Sequence, residues 1–317
     1  MFPSFFSYVE RIAAIFAIIG NLVLICLVMK KSVSKFGNYR YLMVYISVYE
    51  ILFAILHGLT VPVLVTTDCW NFLVMRVDKT CFFQISKPFL QFLNVLFCNM
   101  FGMSMSLFAN HFIYRYMVLS RSKALRDSDG RTIIFMVLFS IVFGVVWGLL
   151  AWDTMQPFPE ADQMVNERFA IPMGLSLDQI AYVGVLFYTK DANGNSLVHW
   201  PSVVGIGIQS VFIGISITTI LIFGFKCYQE THKISMNASQ SKAKIQSELF
   251  YALVFQTLIP ICLIHIPASI VYAVAAMDQS NEYYGQFLSI SVCLYPALDP
   301  LPNFFIIKDY KKAIRSE

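Results

Sequence analysis

Three polar side chains lie inside long apolar stretches of this 317-residue chain, where a polar group without a partner is costly. Asn21, Glu50 and Asp299 each lie eight or nine residues from the basic end of their stretch. A helical rise of about 1.5 Å per residue places all three about 12–14 Å from the same membrane face. The spacing therefore predicts one buried polar layer that contains two carboxyl groups.

Two carboxylates at one depth cannot both stay ionised without a partner. We predict that Glu50 and Asp299 share a proton, hold a sodium ion or pair with a cation, and that with Asn21 they form a buried polar switch. A neutral, hydrogen-bonded packing layer is the alternative. The sequence shows no other metal-ligand spacing and no Ser/His/Asp or Cys/His cluster, so we expect no catalytic residue, no enzyme activity and no cofactor.

The elements that position this layer are apolar stretches long enough to cross a membrane. The chain is 57% hydrophobic and 13% charged, and a hydrocarbon core about 30 Å thick needs about 20 apolar residues of helix. Seven stretches reach or approach that length. Spans one to seven are 12–29, 41–65, 88–119, 133–152, 203–225, 249–277 and 286–307. The pattern predicts an all-α membrane protein with one seven-helix domain over residues 1–317.

The distribution of positive charge predicts the orientation. Of 23 Lys and Arg residues, 17 lie on one side of the seven spans and six on the other. The richer side is expected to be cytoplasmic, which puts the N-terminus outside and the C-terminus, with a short basic tail 308–317, inside. A net charge of +4 gives no reason to expect a nucleic-acid partner.

The outer side then carries a long loop, 153–199. Its apolar run Gln179–Phe187 predicts a short strand that covers the bundle, with a solvated loop as the alternative. Cys69 and Cys81 share another outer loop and can form a disulfide in an oxidising compartment.

One positively charged residue of the inner side, Arg115, lies inside an apolar stretch, near the end of span three. We interpret it as a latch that holds span three against span six, although an Arg here can also extend to the interface. Tyr116, Arg121 and Lys123 lie next to it in sequence and are assigned with it to the cytoplasmic, partner-facing surface.

Four polar residues in the outer halves of the spans are candidates for a ligand pocket. Ligand sites combine apolar walls with a few polar groups, and each of these residues can equally be a satisfied contact between helices. The candidates are His57, Asn94, Gln209 and His265.

Three prolines are predicted hinges, because proline removes a backbone hydrogen bond and kinks a helix. Pro260 lies in span six, and Pro296 and Pro300 lie in span seven. Static packing is the alternative.

Several multi-residue segments, in order along nearly the whole chain, resemble nematode seven-transmembrane chemoreceptors of the Str type and their Srj relatives. The segments are Tyr39–Tyr45 with Tyr49–Leu52, Phe108–Tyr116, Glu248–Phe250 with Gln256–Pro260, Tyr295–Ala297 with Asp299–Pro302, and Ile307–Tyr310. The resemblance implies a G-protein-coupled receptor for an odorant or other small cue, at the plasma membrane of sensory-neuron cilia. Its partners would be that small molecule, a heterotrimeric G protein and the lipid bilayer.

The chain departs from rhodopsin-like receptors at three points. Tyr114-Arg115-Tyr116 is similar to the Asp-Arg-Tyr motif but lacks its acid. Asp299-Pro300 is similar to the Asn-Pro motif of span seven, with Asn303 where that motif has Tyr, and the loop 153–199 has no Cys for a disulfide to span three. A ligand-gated channel or transporter that uses Glu50 and Asp299 is the alternative function.

Overall fold

Seven apolar helical stretches form the body of the protein, as the sequence predicts. The structure, a computed structural model, describes residues 4–31, 36–76, 86–120, 122–190, 195–237 and 239–315. Within these ranges, six helical stretches are long and apolar enough to cross a membrane. Glu282–Ile306 makes a seventh when it is counted together with Lys308–Arg315, from which it is bent by 97°.

Helices cover the seven predicted spans in order along the chain. They are α1 (Ser4–Lys31), α2 (Tyr39–Thr60), α3 (Lys87–Leu119), α4 (Lys123–Met155), α5 (Pro159–Val165), α6 (Trp200–Asn237), α7 (Gln240–Pro260), α8 (Ile266–Ala276), α9 (Glu282–Leu298), α10 (Leu301–Ile306) and α11 (Lys308–Arg315). Span six consists of α7, a π-helical turn Ile261–His265 and α8. Span seven consists of α9 and α10, while α6 forms span five and α5 lies in the outer loop.

The outward faces of the spans are apolar, which suits lipid rather than water. Phe16, Phe135 and Leu221 are each about two-thirds exposed, at 65%, 68% and 66%. Exposure of such surface to water costs about 25 cal/mol per Å², and lipid removes that cost. α3 lies at the centre of the bundle, where it packs against α2, α4 and α6.

A three-stranded antiparallel sheet, the outer sheet, covers one end of the bundle. Its strands are β1 (Val63–Thr67), β2 (Trp70–Arg76) and β3 (Ile180–Leu186), in that order. A two-residue turn joins β1 to β2, and Asp68 in this turn has a φ of 48°, which Asp tolerates better than most residues. A second hairpin, β4 (Tyr188–Lys190) with β5 (Ser196–Val198), follows.

Strand side chains alternate between the two faces of a sheet, and both faces of the outer sheet are buried against apolar residues. Leu73, Met75 and Val183 pack into the core of the bundle. Trp70, Phe72 and Tyr182 pack into a second apolar cluster on the outward side, which includes Phe169. The sheet therefore separates the bundle interior from the surrounding water.

Two predicted boundaries require correction. The predicted strand over Gln179–Phe187 is confirmed by β3, but the predicted loop 153–199 also holds the last turn of α4 and all of α5. The predicted span 41–65 was wrong at its end, since the helix stops at Thr60 and Val63–Val65 belong to β1. Pro62 explains the difference, because it lacks the N–H that another helical turn needs.

Candidate functional site

The polar layer is a set of touching side chains. Asn21, Glu50 and Asp299 are fully buried. The Asn21 amide donates hydrogen bonds to the carbonyl oxygens of Ala17 and Pro296, both at 3.1 Å, and so ties span one to span seven. Tyr295 donates from its hydroxyl to Glu50 Oε1 at 3.5 Å, and Glu50 also interacts electrostatically with Asp299. The structure thus brings the three predicted residues together.

Two amide side chains enlarge the layer, Gln256 from span six and Asn303 from span seven, and the sequence analysis assigns neither of them a role in it. Gln256 Nε2 donates to Asp299 Oδ2, and Asn303 Nδ2 donates to Gln256 Oε1 at 3.3 Å. Both are polar residues inside apolar spans, which is the same signal that identified Asn21. Spans one, two, six and seven therefore meet in one hydrogen-bonded group.

The layer has buried oxygen atoms to which a proton or a cation can bind. Glu50 Oε2, Asp299 Oδ1 and Asn21 Oδ1 are buried and have no hydrogen-bond partner among the described residues. Oxygen atoms are the ligands that hard cations such as sodium require, and a shared proton would satisfy two carboxylates equally. The residues fit two of the three predicted forms of the switch, a shared proton and a bound sodium ion. No group of three His, Cys, Asp or Glu suited to a metal ion occurs in the described ranges.

Arg115 joins span three to the inner part of span six. Its Nη2 donates to the backbone oxygen of Gln246 at 3.0 Å and to Gln246 Oε1 at 2.6 Å. Its guanidinium carbon lies 5.5 Å from the centre of the Tyr39 ring, which stacks on Tyr114. An amide and an aromatic face thus contact Arg115, which is only 2% exposed.

The other residues assigned to the inner surface have different outcomes. Tyr116 packs its ring edge against Phe223 at 5.6 Å, and Lys226 Nζ lies 5.4 Å from the Tyr116 ring. Tyr116 is therefore half-buried against span five, and its assignment as a partner-facing residue stays a prediction. Arg121 lies outside the described residues, and so does the side chain of Lys123, the first residue of α4.

A cavity of about 330 Å³ lies beneath the outer sheet, among the outer halves of spans three to seven. Phe101, Trp147 and Tyr272 form aromatic walls, and Gln209 and Asn71 supply amides. No Asp, Glu, Lys, Arg or His is among its described lining residues. Apolar walls with a few polar groups are typical of small-molecule sites.

Asn71 is a cavity residue that the sequence analysis does not predict, because it lies on a strand in a segment that the apolar pattern indicates as a loop. Leu73 and Met75, at alternate positions of β2, face the bundle, so Asn71 faces it too. Its side chain is 1% exposed, and neither its Oδ1 nor its Nδ2 has a partner among the described residues. A buried amide with open hydrogen-bonding capacity therefore lines the roof of the cavity.

Of the four predicted pocket residues, only Gln209 lines the cavity, and the other three need correction. His57 packs 5.7 Å from the ring of Phe97, which lines the cavity, but His57 itself is not a lining residue. His265 Nε2 lies 3.1 Å from Ser104 Oγ, and Asn94 is fully buried within α3. Depth alone selected these residues, whereas rotation about the helix axis decides which of them face the cavity.

Two of the three predicted hinges, Pro260 and Pro300, coincide with breaks in regular helix. Pro260 ends α7, and the π-helical turn Ile261–His265 follows it directly. Pro300 lies between α9 and α10, whereas Pro296 is inside α9. Cys69 is a free thiol in this structure, where its Sγ donates to the Tyr188 backbone oxygen at 3.5 Å. Its predicted disulfide partner, Cys81, lies outside the described residues.

The apolar spans form a seven-helix bundle of rhodopsin-like architecture. The structure superimposes on squid rhodopsin with a TM-score of 0.61, covering 98% of this chain and 83% of rhodopsin at 13% sequence identity. This likeness concerns the fold alone. It confirms the predicted seven-helix bundle.

The chain belongs to the family described as "Serpentine type 7TM GPCR chemoreceptor Str", whose pattern it matches over residues 6–315. It is 31% identical to G-protein coupled receptor str-217 of Caenorhabditis elegans over 309 residues, 96% of this chain and 87% of that protein. It is 24% identical to serpentine receptor class r-10 of Caenorhabditis briggsae, with 93% of this chain and 84% of that one covered. Serpentine receptor class J-38 of Caenorhabditis elegans is 25% identical, at 98% and 92% coverage.

These relationships confirm the predicted family and the reading of the chain as a G-protein-coupled chemoreceptor. Membership of a multi-pass membrane family agrees with the apolar helices. The family is one of chemoreceptors rather than of enzymes. Nothing in these findings favours the channel or transporter alternative.

Proposed function

We propose that an uncharged small molecule binds in the cavity beneath the outer sheet and switches the receptor through span six. Binding favours a state in which Arg115 no longer holds Gln246 and the inner end of α7 moves outward. A heterotrimeric G protein then binds at the exposed inner face. The polar layer at Glu50 and Asp299 lies between the two sites and helps to set the balance of the two states.

The arrangement of span six carries this proposal. Its outer part, α8, lines the cavity through Ala268 and Tyr272, and its inner part, α7, bears Gln246. The non-α turn at Ile261–His265 lies between them. A break of this kind is where a helix bends most easily, so a ligand against α8 can shift α7.

The lining residues argue for an uncharged ligand. A charged group would leave water and find no opposite charge among the described cavity residues, which is strongly unfavourable. A mostly apolar molecule with one hydrogen-bonding group can use the open capacity of Asn71. It shifts the equilibrium only if it binds the active state more tightly than the resting state.

We place the receptor at the plasma membrane of sensory-neuron cilia, as the family suggests.

A ligand screen with a cavity-filling variant tests this. Cells that express the receptor and a G-protein activation reporter are exposed to matched uncharged and charged small molecules. We expect uncharged compounds to activate the receptor and Ala268→Phe, at a buried lining position, to abolish the response. Ile270→Phe on the exposed face of the same helix should respond normally. An equal response of Ala268→Phe, or a membrane current without a G protein, would overturn the proposal.

A further inference from the structure

The cavity is closed toward the water outside. Tyr182 of the outer sheet donates from its hydroxyl to Asp162 of α5 at 2.8 Å, and its backbone oxygen accepts from Gln91 of α3 at 2.8 Å. Tyr188 donates from its hydroxyl to the Ala276 backbone oxygen at the end of α8, at 2.9 Å. Sheet, outer loop and helix ends are thus bonded together above the cavity.

The hairpin β1–β2 is bonded to the outer end of span seven as well. Asp68 and Ser280 exchange two backbone hydrogen bonds of 2.9 and 3.1 Å. Leu64 N donates to Ser289 Oγ at 3.0 Å. At Gly285, an added Cβ would meet the Leu64 backbone oxygen at 2.2 Å, so the strand lies directly against the helix. Passage from the water side would require several of these contacts to break together.

The same cavity reaches the outer surface of the bundle at its side. Ser210 of α6 and Ser269 and Ala273 of α8 line the cavity and are also exposed. Their neighbours Val211 and Ile270 are 58% and 52% exposed apolar side chains that mark the lipid-facing surface. The three small residues thus form a lateral opening between spans five and six.

We propose that ligands reach the cavity from the lipid bilayer, through this lateral opening between α6 and α8. The inference rests on the proposed function, in that it concerns the ligand site of this receptor. It limits the ligands to uncharged molecules that partition into membranes, because apolar surface transfers favourably from water into hydrocarbon.

The chemistry of the rim supports this route. The described part of α6 before Lys226 has no ionisable side chain, and the only one in Ile261–Ala276 other than Cys262 and Tyr272 is the buried His265. A charged side chain on a rim that faces hydrocarbon would be costly, so a rim without charge suits contact with lipid. Small side chains at Ser210, Ser269 and Ala273 leave a gap that bulkier residues would fill.

A native thiol allows a test without a known ligand, because Cys98 lines the cavity. The purified receptor in phosphatidylcholine liposomes is treated with N-ethylmaleimide, which is uncharged, or with a trimethylammonium methanethiosulfonate, which is permanently charged. Mass spectrometry then follows modification of the peptide that contains Cys98. We expect the uncharged reagent to react and the charged one to react severalfold more slowly or not at all.

Blocking the opening gives the decisive comparison. Ser210→Phe combined with Ala273→Phe should slow maleimide labelling of Cys98 severalfold, whereas the pair Val211→Phe and Ile270→Phe should not. If the double variant does not fold, each single Phe substitution should show a smaller slowing. Equal labelling by the charged reagent, or unchanged maleimide rates in the blocked variants, would overturn the lateral route. None of these outcomes depends on G-protein activation, so failure of the proposed function would be seen separately.

Discussion

The side-chain amide of Gln256 in span six donates a hydrogen bond to the carboxyl group of Asp299 in span seven. Both side chains are buried, at 5% and 0% exposure. Because Asp299 also interacts with Glu50 in span two, a movement of span six at this level changes the surroundings of both carboxyl groups. The layer is thus placed to respond to the state of span six.

We expect Glu50→Gln and Asp299→Asn each to change ligand-independent nucleotide exchange severalfold, since each replaces one of two carboxyl groups that interact with each other. The effect of the double variant should differ from the sum of the single effects, as for groups in one network. Exchange is measured on reconstituted receptor and G protein. Thr257→Val is the matched control, because that buried hydroxyl bonds only to its own helix at Leu253.

Sodium and pH series separate the two forms of the switch. A bound sodium ion predicts that added sodium alters exchange in the natural protein but not in Asp299→Asn. A shared proton predicts the same contrast with pH. If both single variants keep natural surface expression and ligand response, the layer is only packing.

Asn71 should show opposite effects on stability and on response. A buried polar group without a partner costs about 1–3 kcal/mol, so Asn71→Leu should leave the melting temperature unchanged or raise it. The same variant should lose the response to ligands that bond to the amide. Thr66→Val is the contrast, since the Thr66 hydroxyl bonds to Asn281 O and Gly285 N and its loss should lower the melting temperature. A destabilised Asn71→Leu that responds normally would rule out the assigned role.

The orientation remains a prediction from the 17 and six positive charges on the two sides. We expect an epitope at the N-terminus to bind antibody on intact cells, and one at the C-terminus to bind only after permeabilisation. The sequon at Asn237 lies on the inner side in this arrangement and should carry no glycan. Glycan attached at Asn237 would reverse the assignment.

The sequence alone predicts those features of the fold and the site that have a local physical cause. Span number follows from apolar length alone, and the depth of Asn21, Glu50 and Asp299 follows from helical rise, so the polar layer could be predicted. The roof of the cavity could not, because β2 pairs with β3 over a separation of about 110 residues, with Asn71 opposite Val185. Such pairing depends on the whole bundle.

Side-chain direction was the second limit. His57 and His265 have the predicted outer position but face other helices, whereas Asn71 faces the cavity from a strand. The sequence could not identify Gln246 as the hydrogen-bond partner of Arg115. The angle and position at which α3 crosses α7 decide which of their side chains meet. Pro260 marks the point where span six changes from α-helix to a π-helical turn. Pro62 likewise marks the end of α2, which the apolar pattern alone does not indicate.

The contact between Arg115 and Gln246 is the part of the account that can be tested without a ligand. A hydrogen bond to a charged group is worth about 1.5–3 kcal/mol, and each 1.4 kcal/mol is about tenfold in an equilibrium constant. Gln246→Ala keeps the backbone acceptor but removes the shorter bond. It should therefore shift the receptor toward the active state.

The most direct measurement is nucleotide exchange by purified receptor and heterotrimeric G protein in liposomes without ligand. The account predicts that Gln246→Ala raises exchange about tenfold, and that Gln240→Ala, exposed at the start of α7, leaves it unchanged. Exchange by Gln246→Ala equal to that of the natural protein, at equal amounts of folded receptor, would contradict the account.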